Sequence, residues 1–435
     1  MWIPRATAGA CVFRLGSALL METHPVIKTF RQSLALLATR RFGTFWFASL
    51  LSSIGTWAQQ VAEPWLLLTL GASSFLIGLD SFAMNAPVWL LTLAGGALAD
   101  RSDRRRVIAF FQSIQMLCPA AIVVLLITGT ARPWMIIALS VVVGVTDALS
   151  MPSFQSIVPS IVARDQIGRG LALNSTQFNL SRILGPSIAG LLMAGGSAMV
   201  CFAVSAASYV PFIGVALWIL PRWTPAPPRE GEALRRPFAG IGEILYSRHV
   251  RGALLTVLAT SVLCAPIVTF APVLVRDAFH GGPGRFSTAV ASFGAGGLLG
   301  AAGLLSVAPS LDRRRVSSGF AIGYGAVLVL AAFDPWFWGL PPLLVVAGAS
   351  MTVSNTAANS LLQATASRRL LGQTVSLYML AMRGGISLGA LLTGAAVSLF
   401  GVRHALLLNG MAAMAIQMLV ARSWLRAPLP SPTPA

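Results

Sequence analysis

From residue 43 onward the chain is a succession of long apolar runs separated by short polar turns. Twelve runs stand out, at 43–70, 75–99, 107–128, 133–158, 168–195, 197–220, 250–277, 286–308, 316–333, 337–363, 372–400 and 402–424. Roughly 20 apolar residues suffice for an α-helix to cross the hydrocarbon core of a bilayer. The pattern therefore predicts an all-α membrane protein with twelve transmembrane helices. Composition agrees: the 435 residues are 56% hydrophobic and only 10% charged, with a mean hydropathy of +0.76. A soluble chain of this length has no way to hide so much apolar surface.

The net charge of +18 would ordinarily raise nucleic acid as a partner. The placement of the basic residues argues otherwise. With a cytoplasmic N-terminus, the inner side from Lys28 onward holds 23 of the 31 Lys and Arg, and the outer loops hold four, Arg132, Arg276, Arg285 and Arg403. Basic residues gather on the cytoplasmic side of membrane proteins. The asymmetry predicts a multi-pass protein of the bacterial cytoplasmic membrane with both termini inside and no nucleic-acid footprint. The four Cys and four His show no paired or ligand-like spacing, so neither a metal nor a cofactor is expected. Residues 1–20 carry Arg5, Arg14 and a short apolar run that superficially resembles a signal peptide, but the basic lead-in after Met21 reads as a cytoplasmic tail or an over-extended start.

The twelve runs divide evenly around 221–248, a Pro-rich and charged linker. The expected organisation is a tail over 1–30, a six-helix bundle over 31–220, the linker, a second bundle over 249–425 and a tail over 426–435. The bundles repeat in sequence. At a constant offset of 204, Ser156 aligns with Ser360, Arg164 with Arg368, Gly168 with Gly372, Leu184-Gly185 with Leu388-Gly389, and Gly190 with Gly394. Asp103-Arg-Arg-Arg-Val107 recurs as Asp312-Arg-Arg-Arg-Val316 at an offset of 209.

One loop carries a more specific signature. Gly96, Asp100, Arg101, Arg104 and Arg105 follow the second apolar run in the spacing Gly-x-x-x-Asp-Arg-x-x-Arg-Arg. This resembles the loop between helices 2 and 3 of the major facilitator superfamily of secondary transporters. Gly55-Thr-Trp-Ala-Gln-Gln60, Met151-Pro-Ser-Phe-Gln-Ser-Ile-Val-Pro159, Asn179-Leu-Ser-Arg182 and Asn355-Thr-Ala-Ala-Asn359 sharpen the likeness. They resemble the enterobactin exporter and macrolide efflux branch over residues 31–425. The resemblance implies two pseudo-symmetric six-helix bundles in the major facilitator fold, working as a monomer. It implies export of a drug, siderophore or related amphipathic molecule by proton antiport and alternating access, with the bilayer, a small molecule and protons as partners. It also implies an inner gate at Gly96, Asp100, Arg101, Arg104 and Arg105, with Asp100 latching against a neighbouring helix end. Gly185, Pro186 and Gly190 resemble the antiporter motif of helix 5, although Ser181 stands where a Gly is expected. A lysophospholipid or metabolite carrier on the same fold is the rival within transport, and a non-transporting sensor or scaffold the rival outside it.

No elbow, phosphate loop or catalytic cluster suggests an enzyme. Charges inside the membrane are instead the functional candidates: Glu63, Asp147, Arg182 and Arg383, with Asp80 expected at the outer interface. Asp147 and Arg182 lie at one depth on consecutive helices, so a buried pair is expected, either a static tie or a switch. Arg383 has no acid at its depth on the preceding helix and is expected to face the cavity or a cargo anion. Glu63 precedes Pro64 and either loads a proton or reaches the headgroups. Gln59, Gln60, Asn179, Asn355, Asn359 and Gln363 either line the cavity or satisfy one another between helices. Trp46, Trp57, Trp65 and Trp89 either stack on a flat ligand or fill the core.

Overall fold

The computed structural model describes residues 35–195, 197–222, 242, 246–306, 311–365 and 371–426. The side chains of Asp100, Arg101 and Asn179 fall outside the described residues, as do the tails and most of the linker. Twelve long helices are present among the described residues. The first six are α1 Arg40–Thr69, α2 Ser74–Arg101, α3 Arg104–Ile127, α4 Pro133–Ile161, α5 Ile167–Gly195 and α6 Ala198–Trp218. The second six are α7 Arg248–Ala278, α8 Pro283–Ser306, α9 Arg313–Phe333, α10 Leu340–Thr365, α11 Leu371–Phe400 and α12 Val402–Leu425. Ten are long and apolar enough to cross a membrane. The two that are not, α1 and α5, carry Gln59, Gln60, Glu63, Asn174, Gln177 and Arg182. Helices this polar need protein or water around them rather than lipid.

The second half differs from the first in its backbone. Helix α7 contains π turns at Thr260–Cys264 and Leu274–Ala278, and α11 contains one at Leu380–Gly384. Each π turn holds one residue more than an α turn would, and such turns occur often at functional sites.

The repeated Asp-Arg-Arg-Arg motif has one job in both halves. Asp103 caps α3 by accepting from the Arg105 amide at 3.1 Å, and Asp312 caps α9 by accepting from the Arg314 amide at 2.9 Å. The middle Arg then reaches the last helix of its own half. Arg105 donates to the Leu217 carbonyl at 2.9 Å, and Arg314 donates to the Trp424 carbonyl at 3.3 Å. A guanidinium satisfies carbonyls that a helix end leaves unpaired and opposes the negative end of its dipole. Arg104 completes the first staple by donating to the Ser156 carbonyl of α4 at 3.2 Å.

These staples mark one end of the molecule, hereafter the basic end. Burial pushes the Asp312 carboxyl up, but hydrogen bonds from Arg314 and the charges of Arg314 and Arg315 outweigh it and hold it below its ordinary value. The contribution of Asp312 to stability is thus present above the unfolded carboxylate range and lost as pH falls through the lower folded value. Asp312→Ala should cost about 1 kcal/mol of stability, the usual worth of an N-cap. Thermal unfolding of the purified protein checks this: the variant should melt lower at neutral pH, and the difference should shrink in acid.

Side-chain packing divides the molecule unevenly. At the basic end each half has its own core. Phe45, Phe154 and Phe212 form a ring cluster with centroids 5.4–5.8 Å apart in the first half. Val257, Leu362, Tyr378 and Trp424 pack in the second. At the opposite end a single core spans both halves, joining Ala62, Trp65 and Ile77 to Phe270, Phe286 and Phe293. The halves meet there through α2 against α11 and α5 against α8. Lipid supplies no hydrophobic drive between helices, so close approach through small residues carries the association. A Cβ on Gly78 would lie 2.4 Å from the Ala390 carbonyl oxygen, and one on Gly190 2.9 Å from that of Ser287. These contacts are pseudo-equivalent: Gly190 matches Gly394, which lies against Ser74 and Gly78. The Phe75 amide donates to Ser398 Oγ at 3.0 Å, and Trp65 stacks on Phe286 at 5.0 Å.

A Cβ on Gly96 would meet nothing within 4 Å, whereas one on Gly95 would lie 2.6 Å from the Ala148 carbonyl oxygen of α4. In this state the close helix approach belongs to Gly95.

Candidate functional site

Charges within the helices fall into two groups. The first lies between the halves at mid-depth. Asp147 of α4 pairs not with Arg182 but with Arg383, whose Nη1 donates to Asp147 Oδ2 across the halves. Asp147 lies 14 residues from the start of its helix, about 21 Å at 1.5 Å per residue. Direction around the helix decided the outcome. Helix α4 packs chiefly on α2 and α3, and α5 on α1 and α8, so the two consecutive helices do not present these faces to each other. Arg383 sits inside the π turn of α11, close to where α2 crosses; Gly384 beside it lies against the Trp89 ring.

Arg182 has another partner. Its guanidinium lies over the Trp57 ring, 5.5 Å from the centroid, and it has no carboxylate partner among the described residues. Cations over indole faces are held by the ring quadrupole. Trp57 is fixed from behind by α5, because a Cβ on Gly185 would fall 2.3 Å from Trp57 Cβ. So Gly185 of the antiporter-like motif is what allows α5 to bring Arg182 over the ring. Pro186 follows it inside α5.

The second group lies within the first half. Glu63 of α1 and Asp80 of α2 are both buried, at 1% and 3% exposure. Neither reaches an interface, as had been open for Glu63 and expected for Asp80. Each lies six residues from its helix end at the far side of the molecule, about 9 Å along the axis. That depth looks shallow in sequence, but both point into the bundle. Ser140 of α4 stands between them, and its Oγ donates to Glu63 Oε1 at 2.7 Å. Gln59, one turn before Glu63, accepts from Ser205 Oγ of α6 at 2.9 Å.

The amide candidates separate likewise. Gln59 is buried in the first half, while Gln60 is half-buried. Gln363 donates to Asn359 Oδ1 at 3.2 Å, an amide satisfying an amide on one helix. Asn355 is buried with Oδ1 unpartnered. Gln177 donates to Ser53 Oγ at 3.0 Å and ties α5 to α1. Of the tryptophans, Trp46 donates to the Leu173 carbonyl at 2.8 Å and Trp65 stacks between halves, so both fill structure. Among the described residues no His, Cys, Asp and Glu group has the arrangement of a metal site.

Two helical halves with a charge pair bridging them at mid-depth have the architecture of a secondary transporter of the major facilitator type. Solved structures share the fold. The nucleoside transporter NupG superposes with a TM-score of 0.71 at 11% identity, covering 90% of this chain and 100% of that one. An inward-facing, unoccupied bacterial homologue of the human lysosomal transporter Spinster gives 0.67 at 16%, covering 88% and 97%. Within that class, the chain belongs to the transmembrane secretion effector family, whose pattern matches residues 31–430.

Its relatives include the staphyloferrin A transporter of Staphylococcus aureus, 26% identical over 59% of this chain and 64% of that protein. The multidrug efflux pump Tap of Mycolicibacterium fortuitum is 26% identical over 80% and 87%. Macrolide efflux protein A of Streptococcus pyogenes is 21% identical over 85% and 92%. The protein is a multi-pass membrane transporter whose surroundings are the bilayer and whose cargo is a small molecule.

Proposed function

We propose that the chain exports an amphipathic small molecule across the bacterial cytoplasmic membrane by proton antiport, its halves alternating access to a site between Trp57, Arg182, Asp147 and Arg383. The observation that carries the reading is the Asp147–Arg383 pair. It is an ion pair between bodies that must move apart, placed at mid-depth where cargo would bind. Protonation of Asp147, or an ionic cargo, competes for the same bond. The cross-half core at one end and separate cores at the other correspond to a state open at the basic end. The excess of Arg there supports a cytoplasmic position for that end. The relatives support the outward direction: one is named a multidrug efflux pump, another a macrolide efflux protein and a third a staphyloferrin A transporter.

Everted membrane vesicles energised to an acid interior and carrying a pH-sensitive dye test the proposal. One member of a panel of erythromycin, tetracycline, ethidium and a carboxylate siderophore should collapse the gradient, and vesicles bearing Asp147→Asn should not respond. The reading is sunk if none of the four moves the dye and cells bearing the variant resist them as wild type does.

A further inference from the structure

We propose that Glu63 and Asp80 form a proton-binding site inside the first half, holding a single proton between two carboxyls, and that α4 links its occupancy to the Asp147–Arg383 pair. The inference rests on the antiport reading, but it concerns a place distinct from the cargo path.

A count of donors against acceptors carries the first part. The two carboxyls present four oxygens, and Ser140, with one proton to give, donates to Glu63 Oε1. Glu63 Oε2 and Asp80 Oδ1 are buried with no hydrogen-bond partner. The surrounding elements do not make up the deficit. Gln59 of α1 faces Glu63 and Ser140 also faces Asp80, yet Glu63 Oε2 and Asp80 Oδ1 stay unpartnered; α3 adds only Cys118 nearby, and Ser205 of α6 is bonded to Gln59. Among the described residues no cation is paired with either carboxyl.

Two adjacent carboxylates without a counter-ion cannot both persist in a low-dielectric interior, where each unpaired ion costs several kcal/mol. One proton removes one charge and turns one carboxyl into the donor that an orphaned oxygen lacks. Paired carboxyls in other proteins commonly share a proton for the same reason. The proton comes from water and returns to water, with no other bond made or broken.

The second part follows from helix geometry. Ser140 and Asp147 are seven residues apart on α4, two turns and about 10 Å along one face. A shift of Ser140 that follows the carboxyls is therefore delivered to Asp147 by a rigid rod. Asp80 lies on α2, the helix whose Gly78 packs on α11. Both helices that meet Glu63 across this site thus also carry contacts to the other half.

Infrared difference spectroscopy on the full-length protein in lipid, titrated with pH, tests this without cargo or gradient. Wild type should show a carbonyl stretch of a protonated carboxyl at neutral pH that shifts in heavy water. The Glu63→Gln, Asp80→Asn double variant should lose it. Should the double variant fail to fold, Ser140→Ala keeps both carboxyls, and its band should be present but shifted. A wild type without the band, a double variant that keeps it, or a Ser140→Ala band at the wild-type position overturns the site. Asp147→Asn should move the pH at which the band disappears, and an unmoved midpoint overturns the link along α4. The vesicle screen can fail while the band obeys these expectations, and the reverse, so the two proposals fall separately.

Discussion

Arg383→Ala should abolish cargo-dependent proton flux, and a reciprocal exchange, Asp147→Arg with Arg383→Asp, should restore part of it. The pair joins the halves in the state described, so its loss removes a term that favours that state. Removing one partner of a fully buried pair costs about 3–5 kcal/mol, chiefly by stranding the other charge. Here Asp147 is 37% exposed and Arg383 19%. Water screens such a pair, and about 1–2 kcal/mol is the better expectation, midway toward a surface bridge. That corresponds to a shift of roughly 5- to 30-fold in the balance between access states. Direct measurement of the distance between spin labels on the two halves should show the basic-end-open population falling. If Arg383→Ala moves neither flux nor population, the pair is an ornament of one state.

Gly78→Val should produce the opposite failure, a protein that folds but cannot close the end away from the staples. A Cβ there would stand 2.4 Å from the Ala390 carbonyl oxygen, 3.1 Å from its carbon and 3.3 Å from Gly394 Cα. Backbone on both sides leaves nothing flexible to yield, and overpacking of this kind costs about 1–3 kcal/mol before the branched methyls are counted. The penalty falls only on the state in which α2 and α11 touch. Alkylation of a single Cys introduced at the cross-half contact near Ser398 should accelerate about tenfold or more over wild type, the factor that 1.4 kcal/mol represents. Gly319→Ala serves as a control, since a Cβ there meets nothing within 4 Å. Equal alkylation in the two variants would mean that this end is held shut by something other than the glycine contact.

The fold was legible because it follows from one-dimensional quantities. Apolar run length located the twelve helices to within a few residues of their ends, and the recurrence of Asp103-Arg-Arg-Arg-Val107 at Asp312 announced two halves before any coordinate did. Depth was also legible: Asp147 and Arg182 lie at one level, as do Glu63, Asp80 and Ser140. What depth leaves open is direction around each helix, and that decided the pairings. Asp147 turned toward the other half and Arg182 toward Trp57. A signal for the carboxyl pair was nevertheless present. Glu63 stands six residues before the end of one helix and Asp80 six after the start of the next, so the two had to share a level. Ser140 opposite them offers no positive charge to match.

The π turn of α11 has a consequence for how two related halves come to do different work. An extra residue in one turn rotates everything beyond it by about 100° relative to an uninterrupted helix. Helix α5, its counterpart, contains no such turn among its described residues. The two halves thus present their arginines differently: Arg383 reaches across the seam to Asp147, while Arg182 lies over Trp57 of its own half and faces Tyr324 and Tyr378 of the other. Asymmetry between inward and outward motion then requires no new chemistry, only a difference in winding.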